Sequence, residues 1–131
     1  MQPQDIQAAY TSTNSTITTT TEQVAVSSPL ARGYRNSAIV VVIGYAEVTL
    51  GTGTTAITPR IRRGTAITDT LVTEANALQI QTAAGSSEHY HMTAMEQVIG
   101  EFCTAYSFTL LQTAASANGT ILAAGICVIV I

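Results

Sequence analysis

The chain has 131 residues, enough for one domain with its own core, yet only 10% of them are charged, against about 25% in an ordinary globular domain. There is no Lys, five Arg face eight acids, and the net charge of −3 excludes the basic footprint of a nucleic-acid module. No run reaches the ~18 apolar residues of a membrane helix, and Met1-Gln2-Pro3-Gln4 opens without the basic start and apolar core of a secretory signal.

Thr is the commonest residue, with 22 copies, so a polar surface must be built from hydroxyls and amides. A surface this poor in charge associates readily. Oligomerisation is therefore the expectation.

Residues 1–29 are set apart as an extended N-terminal arm: the first fifteen are polar, and 16–26 (TITTTTEQVAV) form a candidate first strand ended by Ser27-Ser28-Pro29. Such an arm either hangs free or adds to the sheet edge of a neighbour. Residues 30–131 are read as the main domain. Ser37–Leu50 is rich in β-branched residues, whose stiff side chains suit a pleated surface. Gly51 and Gly53 offer a tight turn, and Thr54–Arg63 follows as a second strand, so Ser37–Arg63 reads as a hairpin. Pro59 marks an edge or bulge there.

Thr68–Thr73 and Leu78–Thr82 are shorter strand candidates. Ser87–Gly100 holds good helix formers (Met, Ala, Glu, Gln), but the alternation after His89-Tyr90-His91 favours a strand. Phe102–Thr113 and Thr120–Ile131 complete the set, with Asn118-Gly119 as a type I′ turn signal. About eight strands with no convincing helix predict an all-β, antiparallel β-sandwich or jelly roll.

Near-continuous apolar runs at Ile39–Ile43 and Ile126–Ile131 suggest strands covered on both faces. Ile39, Val41 and Ile43 share one face, and Val40 and Val42 the other. One face fills a core, so the second is expected to meet another chain. Arg60, Arg62 and Arg63 are the one concentration of positive charge; Arg60 and Arg62 share a face. Either they are solvated at a strand end, or they pair with carboxylates of a partner.

Chemistry is sparse. His89 and His91 point to one side of a strand, and imidazole suits Zn, Ni or Fe, but two ligands are an incomplete site unless three copies meet. They are read as ordinary polar strand residues, with no metal and no cofactor called for. Cys103 and Cys127 are read as buried free thiols, with a disulfide left open. Gly51-Thr52-Gly53-Thr54 lacks the Lys of a phosphate loop, and no nucleophile has a nearby base, so no enzyme is expected.

The segments AIVVVIGYAEVTL (38–50), GTGTT (51–55), AITPRIRRG (56–64) and GTILAAGICVIVI (119–131), behind a Thr-rich arm, carry a resemblance. The pattern resembles small jelly-roll virion structural proteins of tailed bacteriophages, of tumour-necrosis-factor-like type. The resemblance implies a capsid decoration (cement) protein: a homotrimer on the capsid surface, assembled in the host cytoplasm. Its partners would be its own copies and the major capsid or another virion protein, with no nucleic acid and no membrane. The alternative is a tail or head-fibre component that binds a receptor or glycan. No functional residue transfers, because the shared pattern is structural.

Overall fold

A computed structural model of the protein describes residues 2–18, 21–49, 53–74, 78–82, 87–113 and 118–131. Among them lie twelve strands and no helix. In chain order these are β1 (Asp5–Thr11), β2 (Ser15–Ile17), β3 (Glu22–Ser27), β4 (Ala31–Gly33), β5 (Ser37–Thr49) and β6 (Gly53–Arg63). Then follow β7 (Thr70–Glu74), β8 (Leu78–Thr82), β9 (Ser87–Ile99), β10 (Phe102–Thr104), β11 (Tyr106–Thr113) and β12 (Gly119–Val130).

The pairing is nested. β1 lies on β12, β3 on β11, β5 on β9, and β6 on both β7 and β8, all antiparallel. A long antiparallel ribbon rolled on itself gives that nesting, which is the double-sheet logic of a jelly roll. The first sheet runs β1-β12-β5-β9, with β2 also on β12. The second runs β3-β11-β6-β7, with β8 also on β6, and β10 and β4 form a small third sheet.

The expected sandwich is present, with more strands than the expected eight or so. The additions are β1, a seven-residue strand in the polar arm, and the three-residue strands β2, β4 and β10, too short to show a period in sequence. The strand expected at Phe102–Thr113 breaks at Ala105: β10 pairs with β4, and β11 joins the second sheet. Residues 1–29 supply three strands. The candidate strand at 16–26 divides into β2 and β3, which belong to different sheets. Gln4 and Asp5 also anchor β4 and the segment after it: Gln4 Oε1 accepts from the backbone N–H groups of Tyr34 (2.8 Å) and Arg35 (3.0 Å), and Asp5 Oδ2 from that of Arg32 in β4 (2.8 Å).

The hairpin expected over Ser37–Arg63 does not form. β5 belongs to the first sheet and β6 to the second. Each strand has one apolar face, and the two faces bury each other across the sandwich, a stronger solution than pairing side by side. Val40, Val42 and Val48 from β5, Ile57 and Ile61 from β6, and Phe108 and Leu110 from β11 are all buried in one core. Gly44 is the close point: a Cβ there would enter the ring of Phe108.

Pro59 sits inside the second sheet, opposite Leu110. The β8 ladder stops at Ile57 and the β7 ladder starts at Arg60. Pro59 falls in that interruption, which suits a residue that cannot donate. The turn expected at Asn118-Gly119 is not a type I′ turn. Gly119 is extended in β12 opposite Ile17, and the positive φ values among the described glycines belong to Gly64 (127°) and Gly100 (88°). Of the two glycines expected to form the turn before β6, Gly51 lies outside the described residues and Gly53 is the first residue of β6, opposite Thr82.

Candidate interaction face

The outer face of the first sheet gathers residues from four strands in cross-strand rows. Ile131 exchanges backbone hydrogen bonds with Ile39 (2.9 and 3.0 Å), which lies opposite Gln97. The next row is Ile6, Ile129, Val41 and Met95. Then come Ala8, Cys127, Ile43 and Thr93, followed by Tyr10, Gly125, Tyr45 and His91. Glu47, opposite His89, is the one carboxylate in these rows.

Strand alternation puts these residues outside. Along β5 the even positions Ala38 to Val48 are buried, so the odd positions face outward. Met95 is 67% exposed, Ile6 55%, Ile39 44% and Ile43 42%. Four strands ~4.8 Å apart and six residue steps of ~3.4 Å give a flat area of about 300 Å². A patch of that order, apolar except for Gln97, Thr93 and His91 along β9, is the size at which a monomer's largest patch is often functional. Two shallow grooves flank Ile39. One, about 310 Å³, is lined by Arg35, Ser37, Ala38, Gln97 and Ile131 beside Ile39; the other, about 270 Å³, is lined by Ile39, Met95, Glu96 and Gln97.

The structure brings Ile39, Val41 and Ile43 together on this face and separates them from the arginines. Arg60 and Arg62 lie on the outer face of the second sheet, where Glu22 bridges them. Arg62 Nε donates to Glu22 Oε2 at 2.6 Å, Arg60 donates to Glu22 Oε1, and Arg60 Nε also reaches Glu74. Burial pushes the Glu22 carboxyl up, but the hydrogen bonds from Arg62 and Arg60 outweigh it and hold the group below its ordinary value. Arg63 points inward and clamps Glu96 through two bonds (3.0 and 2.8 Å). The Tyr106 hydroxyl donates to the same carboxylate at 2.7 Å. Because Glu96 is on β9 and Arg63 and Tyr106 are on β6 and β11, this cluster staples the two sheets. Burial, then the bond to Glu96, raises the Tyr106 phenol.

His89 and His91 flank Tyr45. Tyr45 Oη and His89 Nδ1 are 3.2 Å apart, and the His91 ring centroid is 5.1 Å from that of Tyr45. Among the described residues no third His, Cys, Asp or Glu joins them in a group that could hold a metal. Cys103 is exposed rather than buried, because β10 belongs to a two-stranded sheet with little to cover it. Cys127 is half-buried on the outer face, and both thiols are free.

Sequence reasoning missed Ile6 and Tyr10, because a polar arm hides a short alternating strand. It also missed Met95, whose outward position follows from the same alternation once Ser87–Ile99 is taken as a strand. Glu22 gave no local signal, since Arg60 and Arg62 lie 38 and 40 residues away.

No family model matches the chain, and no curated protein matches it. Solved structures do. A crystal structure of the infectious bursal disease virus VP2 subviral particle superposes with a TM-score of 0.55 at 9% identity, over 98% of this chain and 33% of that one. The T13 particle of the same virus gives a TM-score of 0.56 at 8% identity, over 97% of this chain and 32% of that one. Its T=1 particles give 0.54 at 10%, over 98% and 32%. The chain thus spans about a third of the length of the virus proteins it matches, and what it shares with them is an all-β, jelly-roll-like fold.

Proposed function

We propose that the protein is a non-enzymatic structural component of a virion, a jelly-roll unit that associates with its own copies through the outer face of its first sheet. The observation that carries this reading is the face itself: rows of Ile, Val, Met and Tyr crossed by a single carboxylate, Glu47. A solvated sandwich shows polar residues there. The solved structures compared above are of virus particles, which supports a shell setting.

In the finer form of the proposal, the unit is a decoration (cement) protein. Three copies associate, sit on the capsid and clamp neighbouring capsomers, each copy adding modest affinity that avidity multiplies. The contact is carried by Ile39, Val41 and Ile43. Arg60, Arg62 and Arg63 shape the subunit that presents them.

Light scattering on the purified protein tests self-association. Three chain masses, or a multiple of three, at micromolar concentration is the expected result, and a monomer would overturn the reading. Co-sedimentation with capsids lacking the protein then tests the decoration role. Binding to host cells or glycans instead of capsids would favour a fibre-tip module.

A further inference from the structure

Among the described residues every sheet edge but one is short or interrupted. β1 has seven residues and β3 six, with a register shift against β11. β7 and β8 have five each, and β7 is bulged against β6. β9 differs. It has thirteen residues, Ser87–Ile99, paired without a bulge to β5 along its whole length. On its other side no strand and no backbone hydrogen bond is found among the described residues. It holds no Pro and no Lys, which usually blunt such an edge; its two acids, Glu88 and Glu96, stand opposite the inward-facing Val48 and Val40, and Glu96 is held by Arg63. Half its backbone N–H and C=O groups therefore point away from β5, and the occupant that satisfies such a row is another extended strand.

We propose that the free edge of β9 pairs antiparallel with β9 of a second copy, about a two-fold axis through Thr93. The inference rests on the self-association reading and adds a second, two-fold contact to it. The axis at Thr93 is the register that pairs all thirteen residues. In it Thr93 faces the partner's Thr93, His91 faces the partner's Met95, His89 the partner's Gln97, and Glu88 the partner's Val98. Tyr90 faces the partner's Glu96, so no acid meets an acid and no imidazole an imidazole. Moving the axis to Met92 brings Glu88 against the partner's Glu96, and like charges directly opposite destabilise a sheet. The axis stands perpendicular to the sheet, so the two outer faces join into one apolar surface eight strands wide. A two-fold contact combined with a three-fold one builds a larger assembly than either alone, and the angle between the two axes decides whether it closes or extends.

Thr93 is exposed and is the one residue that meets itself, which makes it the test position. Thr93→Glu and Thr93→Lys each place two like charges across the axis. Each variant alone should raise the dissociation constant of the two-fold contact at least about ten-fold, read as a fall in mass by analytical ultracentrifugation. An equimolar mixture should recover the wild-type mass, because Glu then faces Lys. Amide hydrogen exchange should show β9 protected in the wild type and in the mixture, and exposed in each variant alone. Ile43→Lys, run in parallel, separates this contact from the face. If Ile43→Lys lowers the mass while both Thr93 variants keep it, the edge pairing is overturned and the face reading stands. If the Thr93 variants lose mass, regain it on mixing, and Ile43→Lys changes nothing, the edge pairing holds and the face reading falls.

Discussion

On the outer face of the first sheet, Val41 meets Ile129 and Met95, and Ile43 meets Cys127 and Thr93, with no charge between them. On the outer face of the second, Glu22, Arg60, Arg62 and Glu74 close an ionic network over β-strands of the same kind. Ser107 and Thr109, opposite Arg62 and Arg60, are fully buried on that face. The second sheet thus covers its outer face with side chains of its own chain. The first sheet leaves its face uncovered. With charge at 10% of the residues, the chain concentrates what it has where a subunit must close on itself and withholds it where copies would meet.

The largest expected effect lies on the ionic face. Glu22→Ala leaves Arg60 and Arg62 partly buried without their shared carboxylate. It should cost about 3 kcal/mol, measured as a shift in the urea midpoint at neutral pH. A loss under about 1 kcal/mol would mean that the network is ornamental and the comparison of faces misdrawn.

The same network sets an acid limit. The Glu22 carboxyl is held below the ordinary 4.5, so its contribution is full above that pH and disappears as pH falls through the lower folded value. Urea midpoints followed from pH 7 downward should fall below about pH 4.5. Glu22→Gln should be weaker at neutral pH and should show a shallower fall over that acid range.

On the first face the prediction inverts. Ile43→Lys should change subunit stability by no more than about 0.5 kcal/mol, the usual range for exposed sites, while it abolishes association through that face. A large loss of stability in the isolated subunit would place Ile43 in a core rather than at a contact. The smallest effect is expected at Thr109→Val. The Thr109 hydroxyl is buried with no hydrogen-bond partner among the described residues, so an apolar isostere should be neutral or stabilise by up to about 1 kcal/mol.

The sandwich was legible because β-branched residues and alternation mark strands locally. Ser87–Ile99 could be taken as a strand despite its Met, Ala, Glu and Gln, because His89 to Gln97 alternate outward and inward positions. Pairing was less legible, since it is non-local. Nothing within Ser37–Arg63 says that β5 takes β12 and β9 as partners while β6 takes β11, β7 and β8. The apolar residues of the candidate face were half legible. Ile39, Val41 and Ile43 stand in an unbroken run, whereas Ile6 and Tyr10 are isolated in a polar context. The carboxylate partners of the arginines were illegible: Glu22 lies on a neighbouring element far away in sequence, and Glu96 crosses from the other sheet.

The central claim, that the outer face of the first sheet is a contact between copies, is tested most directly by light scattering on the wild type beside the double variant Ile39→Lys/Ile43→Lys. The expected result is a multiple of three chain masses for the wild type and, for the variant, a folded species of no more than two chain masses (the pair that the β9 edge alone would hold), with an unchanged circular-dichroism spectrum. A wild-type monomer, or a variant that keeps the wild-type mass, would contradict the claim.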